Sequence, residues 1–157
     1  MAEPAAEFAQ IISATAEEIF ATMIFLDLTS GAPLTEGKED LGCYVTAMIG
    51  LSGDFNAMLG VHCPAKVGMA IGSAMLGIEL DEVDEDTKDA LGEITNMLAG
   101  GMKESFAAKE IDLQLAIPTT ISGNSYKLSA PSGSNRIVIP FDIDAGQFFI
   151  DLKYSLS

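Results

Sequence analysis

Three stretches of the chain carry the hydrophobic spacing of a helix. Over residues 8–28, apolar residues recur at intervals of three, four and seven with glutamates between them, which predicts an amphipathic helix. A second helix is predicted from Pro64, which suits a first helical turn, to Gly77, which suits a C-terminal cap. The acidic run at 79–86 favours the positive end of a helix dipole and predicts a third helix that continues to about Lys109.

The remaining pattern is typical of strands. Residues 44–51 and 55–62 are β-prone runs on either side of a Ser-Gly-Asp turn, which predicts a hairpin. From Ile111 to Ile117 apolar and other residues alternate, which predicts a strand with one wet face. Further strands are predicted at 126–128, 136–143 and 147–154. Short turns require antiparallel pairing. We therefore predict an α+β fold, a two-layer sandwich of three helices packed on a largely antiparallel sheet.

Composition limits the domain organisation and the partners. A chain of 157 residues that is 48% hydrophobic predicts a single domain over residues 1–157. The formal net charge is -15 and the eight basic residues are scattered, which argues against nucleic acid or an anionic membrane as partner. The acidic N-terminus and the lack of a long apolar run predict a cytoplasmic protein. A mean hydropathy of +0.31 is high for a chain this charged and predicts that the apolar residues are segregated from the acidic ones, which leaves apolar surface that a partner subunit could cover.

The sequence lacks the common motifs of metal sites and of catalytic nucleophiles. Cys43 and Cys63 lie far apart, without a CxxC pair or histidines at ligand spacing, which excludes a zinc site. The acidic run lacks the central glycine and final glutamate of an EF-hand loop, which favours helix initiation over calcium binding. His62 has no catalytic partner on its predicted strand face and is interpreted as structural. Without a P-loop, dinucleotide fingerprint or nucleophile elbow, we expect no metal and no cofactor bound by the chain itself.

The most informative segment is Leu91–Met102 in the third predicted helix. At ~100° per residue its apolar residues fall on one side, whereas Glu93 and Asn96 point ~60° apart on the opposite side. An isolated Glu-x-x-Asn in a helix is most often a solvated face. Here Gly92 and Gly100 flank the pair, and each costs about 1 kcal/mol relative to alanine in a helix interior. We therefore expect another group to approach the helix backbone at this face.

An exposed carboxylate and amide suit phosphoryl transfer, which needs positioning and charge neutralisation more than covalent chemistry from the protein. The side chain of Asn96 could orient a water molecule, because its oxygen accepts a hydrogen bond while its NH₂ donates to a phosphoryl oxygen. Glu93 would then be free to form a charge-assisted bond to a lysine of the partner and to fix the docking register.

In the stretch Gly92–Gly100 the chain resembles the CheX and CheC phosphatases of bacterial chemotaxis, whose active-site motif matches its Glu-x-x-Asn. The resemblance implies a CheC-like fold and hydrolysis of the aspartyl phosphate of a CheY-type receiver domain. It also implies that Glu93 pairs with a receiver lysine, that Asn96 aligns water for in-line attack, and that the receiver supplies Mg²⁺. CheC-type members carry a second motif on the first helix. The counterpart here, Glu18-Ile19-Phe20-Ala21, lacks the amide, so the chain resembles the single-site CheX type and is expected to form a homodimer.

Two functions follow from these observations. The first is a phosphatase of a phosphorylated receiver domain in chemotaxis or a related two-component pathway. The alternative is a non-catalytic receiver-binding or assembly module of the flagellar-switch type. The amide of Asn96 favours catalysis, because a module that only binds a receiver does not need it. We predict Glu93 and Asn96 as the catalytic residues and Gly92, Met97 and Gly100 as docking residues.

Overall fold

The computed structural model describes residues 3–34, 41, 43–123 and 135–155. Its helices are α1, its π-helical continuation, α2 and α3, at Glu3–Ile19, Phe20–Ile24, Ala65–Leu76 and Glu85–Ala107. Its strands are β1 to β7, at Thr29–Ser30, Val45–Gly53, Asn56–Cys63, Leu113–Leu115, Thr119–Ser122, Asn135–Ile143 and Gly146–Ser155.

All seven of these strands belong to one sheet, in the order β1-β6-β7-β3-β2-β4, with β5 also paired to β2. Every pairing between them is antiparallel. The predicted hairpin is present as β2 and β3, and a second hairpin joins β6 to β7 through a turn at Asp144-Ala145. The prediction of three helices on a largely antiparallel sheet is confirmed.

Different groups of residues cover the two faces of the sheet. Alternate residues of the central strands, such as Ile49, Val61 and Ile150, join the apolar sides of the three helices in the main core. On the opposite face, Val138 and Phe149 form a small second cluster with Leu41. The helices therefore form one layer and the sheet the other, and Leu34 and Leu41 cover part of the outer face of the sheet.

The structure corrects three element predictions. The helix predicted to reach about Leu28 ends its α-helical part at Ile19 and widens into the π-helical turn, which closes at Phe25 in a left-handed backbone conformation. The short strand β1 comes from a segment partly assigned to a loop. The strand predicted over Ile111–Ile117 is limited to the three residues of β4. Hydrophobic spacing alone does not reveal such local departures, because they depend on backbone hydrogen bonds: within the turn for Phe25 N–H and Phe20 O, and to other strands for β1 and β4.

Other boundaries agree with the prediction. Pro64 stands at the N-cap of α2 and Gly77, with φ 71°, closes it. Helix α3 ends at Ala107, two residues before the predicted Lys109. The strand predicted at 126–128 lies outside the described residues.

Candidate active site on helix α3

Helix α3 is fixed at its N-terminus by its own side chains. The carboxylate of Asp84 accepts a hydrogen bond from the backbone N–H of Thr87 at 3.1 Å, and the hydroxyl of Thr87 accepts one from the N–H of Asp84 at 3.4 Å. This reciprocal arrangement is a capping box. The acidic run therefore initiates the helix, as predicted.

The rotation of α3 about its axis is set by its apolar side. Leu91, Ile94, Leu98 and Met102 are all buried in the main core, as their spacing predicts. The same rotation leaves Glu93 and Asn96 exposed to solvent. A carboxylate and an amide thus share one face of a well-anchored helix, about 4.5 Å apart along its axis.

This face forms one wall of an open groove with a volume of about 380 Å³. The opposite wall comes from the segment 116–118 and from Thr120 of β5. The residues that line the groove are Lys88, Asp89, Gly92, Glu93, Asn96, Ala116, Ile117, Pro118 and Thr120. Glu93 and Asn96 are therefore placed in a concave surface that a partner could fill from outside.

The second wall exists because the edge strand beside β2 is irregular. Leu51 of β2 pairs with Leu115 of β4, whereas Met48 pairs with Thr119 of β5, so the register shifts by one residue between the two strands. The backbone N–H of Ala116 still bonds to Gly50 O at 2.9 Å. The shift is a β-bulge centred on residues 117–118, a feature that occurs at sheet edges and redirects side chains.

Ile117 is the residue that the hydrophobic pattern misplaced. It was predicted to share the apolar face of Leu113 and Leu115, but its side chain is 87% exposed and lines the groove. The one sequence signal for this outcome is Pro118, whose ring removes a backbone donor and marks edge strands and bulges.

The predicted docking residues divide into two groups. Gly92 lines the groove, whereas Met97 and Gly100 lie outside its lining, and Met97 packs partly against the core. A Cβ at Gly92 would meet the methyl group of Thr120 at 3.6 Å, an ordinary contact, and one at Gly100 would meet no atom within 4 Å. Among the glycines of α3, the close approach is instead at Gly101, where a Cβ would lie 2.5 Å from the methyl group of Thr15. Gly101, which lets α1 pack against α3, escaped the sequence interpretation.

His62 lies apart from the groove, in a buried polar network on the outer face of the sheet. Its Nε2 donates to Asp151 Oδ1 at 2.6 Å, and its Nδ1 shares a hydrogen bond with Thr46 Oγ1 at 3.1 Å. Asp151 Oδ2 also accepts a hydrogen bond from Arg136 Nε at 3.0 Å and lies 3.6 Å from the ammonium of Lys153. These contacts agree with the structural role predicted for His62.

The network shifts the pKa of its two central groups in opposite directions. Burial alone would raise the pKa of Asp151, but the hydrogen bond from His62 and the nearby cations outweigh it and leave that pKa lowered. Burial alone would lower the pKa of His62, but its hydrogen bonds, chiefly to Asp151, leave that pKa raised. Both groups therefore favour their charged forms in the folded protein.

Three further features bear on the function. Within the described ranges, no group of three or more His, Cys, Asp or Glu side chains is placed to hold a metal ion. In the same part of the chain, no helix is both long and apolar enough to cross a bilayer. At the N-terminal end of the groove, Lys88 forms an ion pair with Glu85 at 2.8 Å. The groove thus offers a carboxylate and an amide as its polar groups nearest the middle of α3.

The chain resembles known proteins in both sequence and fold. Residues 45–142 match the family model described as "Chemotaxis phosphatase CheX". The chain is 27% identical over 128 residues to the CheY-P phosphatase CheX of Thermotoga maritima, a match that covers 78% of this chain and 81% of that protein. The matched range includes α3 and both walls of the groove.

Solved structures show the same architecture. The chemotaxis protein CheX of Vibrio vulnificus superposes with a TM-score of 0.87 at 27% identity, over 95% of this chain and 99% of that one. The CheX chain of a CheX-CheY-BeF3-Mg²⁺ complex from Borrelia burgdorferi gives a TM-score of 0.78 at 20% identity, over 92% of this chain and 96% of that one. At 20% identity, the match to the Borrelia burgdorferi structure shows a shared fold and no more.

Proposed function

Because the chain belongs to the CheX family of chemotaxis phosphatases, we propose that it hydrolyses the aspartyl phosphate of a CheY-type receiver domain. The observation that carries the proposal is the exposed Glu93 and Asn96 on one face of α3, inside a groove that is open to a partner. The name of the Thermotoga relative, a CheY-P phosphatase, supports the same substrate class. The pathway is chemotaxis or a related two-component circuit.

Asn96 has the role of placing the attacking water. Its amide oxygen accepts a hydrogen bond from water, and its NH₂ donates to a phosphoryl oxygen, so one side chain aligns the nucleophile with the phosphorus atom. The reaction breaks the bond between phosphorus and the aspartyl oxygen and transfers the phosphoryl group to water. No nucleophile from this chain is required.

Glu93 has the role of docking. Glu93 is exposed one helical turn before Asn96. Its carboxylate can therefore form a charge-assisted hydrogen bond to a lysine of the receiver. Such a bond fixes the position of α3 over the phosphorylation site. The Mg²⁺ in this proposal belongs to the receiver, and Gly92 contributes to docking only as a buried part of the groove lining.

The proposal includes a cytoplasmic homodimer. Support for dimerisation comes from large apolar side chains that are exposed on neighbouring elements, since the π-helical turn packs against α2. These side chains are Met23, Phe25, Leu76 and Ile78. They lie outside the lining of the groove, so a dimer formed through them would leave the active site open.

The decay of radiolabelled phosphate from a CheY-type receiver of the same organism tests the function. Wild-type protein is expected to accelerate the decay. Asn96→Ala should abolish that acceleration while leaving docking nearly intact, because the amide acts on the water and not on the partner. Glu93→Ala should weaken both docking and turnover. Glu104→Ala, which removes an exposed carboxylate of the same helix outside the groove, is the matched control and should behave as wild type.

The binding of each variant to the phosphorylated receiver is measured alongside. Comparable losses of binding and turnover in Asn96→Ala and Glu93→Ala would contradict the assigned roles. Receiver binding without any acceleration by the wild type would instead identify a binding module of the flagellar-switch type, with Glu93 as a docking residue.

A further inference from the structure

The wall of the groove opposite α3 contains a β-bulge at residues 117–118, and the roles of Glu93 and Asn96 do not explain it. The bulge between β4 and β5 places Ile117 and Pro118 opposite the single residue Ile49 of β2. In a regular strand the residue facing Ile49, which is buried, would also point into the core. The extra residue instead turns an isoleucine out to solvent.

Ile117 is 87% exposed, more than any other large apolar side chain in the described part of the chain. The next residue, Pro118, fixes its own φ and cannot donate a hydrogen bond, so the bulge is held open and the edge is closed to further strand pairing. An exposed isoleucine held on a rigid edge costs solubility and gives the isolated fold nothing in return.

The position of Ile117 identifies what covers it. Ile117 and Asn96 line the same groove from opposite walls. A folded domain is wider than this groove, so a domain whose phosphoryl group reaches the amide of Asn96 also lies over the bulge. Resting on the function proposed above, this makes the receiver domain the occupant of both walls.

We propose that Ile117 is the apolar anchor for the receiver domain, seated against an apolar patch beside the receiver's phosphorylation site. Glu93 and Asn96 supply polar contacts from one wall, and Ile117 supplies desolvated contact area from the other. A small number of apolar anchors near the centre of an interface carry much of its binding energy. Ile117 thus determines affinity for the receiver without touching the reacting atoms.

The test compares Ile117→Ser with wild type over a range of concentrations of the phosphorylated CheY-type receiver. The apparent KM should rise about tenfold, the usual effect of losing an apolar anchor. The kcat should stay within about twofold, because Asn96 still places the water. Ile117→Val, which keeps most of the apolar area, should restore the wild-type KM.

The matched control is Met58→Ser. Met58 is a second exposed apolar residue, 40% exposed on β3 and outside the groove, so its loss should leave KM unchanged. Binding is also measured in an Asn96→Ala background, where the phosphorylated receiver is not turned over. Ile117→Ser should weaken that binding by the same factor.

The outcomes separate this inference from the function on which it rests. An unchanged KM and unchanged binding in Ile117→Ser, with an active wild type, overturn the anchor and leave the phosphatase standing. A change of oligomeric state in Ile117→Ser would also overturn the anchor, because it would show that the bulge contacts a second copy of the chain. An inactive wild type overturns the phosphatase, and weaker receiver binding in Ile117→Ser would then still support the anchor.

Discussion

At the scale of single residues, adjacent residues of α3 have different roles, one in the core and the next at the proposed active site. Thr95, between Glu93 and Asn96, is buried and its hydroxyl donates to Leu91 O at 2.8 Å, while Asn96 is exposed. A helix turns by about 100° per residue, so one step along the sequence moves a side chain from core to solvent. The variants of Glu93 and Asn96 described above are therefore expected to fold normally.

Asp151 is the residue whose loss should cost the most stability. Its carboxylate is 1% exposed and holds three cationic or hydrogen-bonding partners. Asp151→Asn leaves buried positive groups without their anion and should reduce the free energy of unfolding by about 3–5 kcal/mol near neutral pH. Chemical denaturation measures this value. Asp142→Asn, at an exposed carboxylate on β6, is the control and should change it by about 0.5 kcal/mol or less.

The same network predicts a pH dependence. The lowered pKa of Asp151 gives stability that is present above its ordinary pKa of 3.8 and lost as the pH falls through the folded-state value. The raised pKa of His62 gives stability that is complete below its ordinary pKa of 6.5 and lost as the pH rises through the folded-state value. The contribution of the network is therefore greatest between those ordinary values. The free energies of unfolding of wild type and Asp151→Asn should therefore differ most within this range, and a difference that did not shrink at pH values below it and above it would contradict the assignment.

At the scale of elements, α3 combines two glycines with opposite consequences. Gly100→Ala should raise the free energy of unfolding by up to about 1 kcal/mol, because alanine favours the helix and its Cβ meets no neighbour. Gly101→Ala should lower it by about 1 kcal/mol or more, because its Cβ would overlap Thr15, whose hydroxyl is held by Ile11 O.

Thermal unfolding of the two variants gives the comparison directly, and phosphatase assays on Gly100→Ala test its predicted docking role. A more stable Gly100→Ala protein with weaker receiver binding would confirm that role. Equal destabilisation by both substitutions would show that the packing between α1 and α3 is not as described.

At the scale of the whole molecule, net charge and apolar surface oppose each other. Each chain carries a formal charge of -15, which repels a second copy, while the exposed apolar side chains of the π-helical turn and α2 favour association. Sedimentation should give about twice the 16.5 kDa of the chain, and the dimer should tighten as salt rises from about 50 to 500 mM, because salt screens the repulsion. A monomer at every salt concentration would refute the homodimer.

The sequence by itself determined the principal elements and the functional motif. Hydrophobic spacing predicted the three helices, the β2–β3 hairpin and the inward side of α3, because burial of an apolar face follows the period of the element. Since Leu91, Ile94 and Leu98 had to face the core, the exposure of Glu93 and Asn96 was predictable too. The side of a helix on which each residue lies follows from its position in the sequence, because the helix turns by a constant angle per residue.

Only the tertiary structure decided what lies opposite that helix. The register shift between β4 and β5 exposes Ile117, and the contact between Gly101 and Thr15 sets the approach of α1 to α3. Asp151 of β7 forms a hydrogen bond with His62 of the neighbouring strand β3. Each of these pairs residues far apart in the chain, and their energies depend on backbone pairing and packing between elements, which hydrophobic period does not encode.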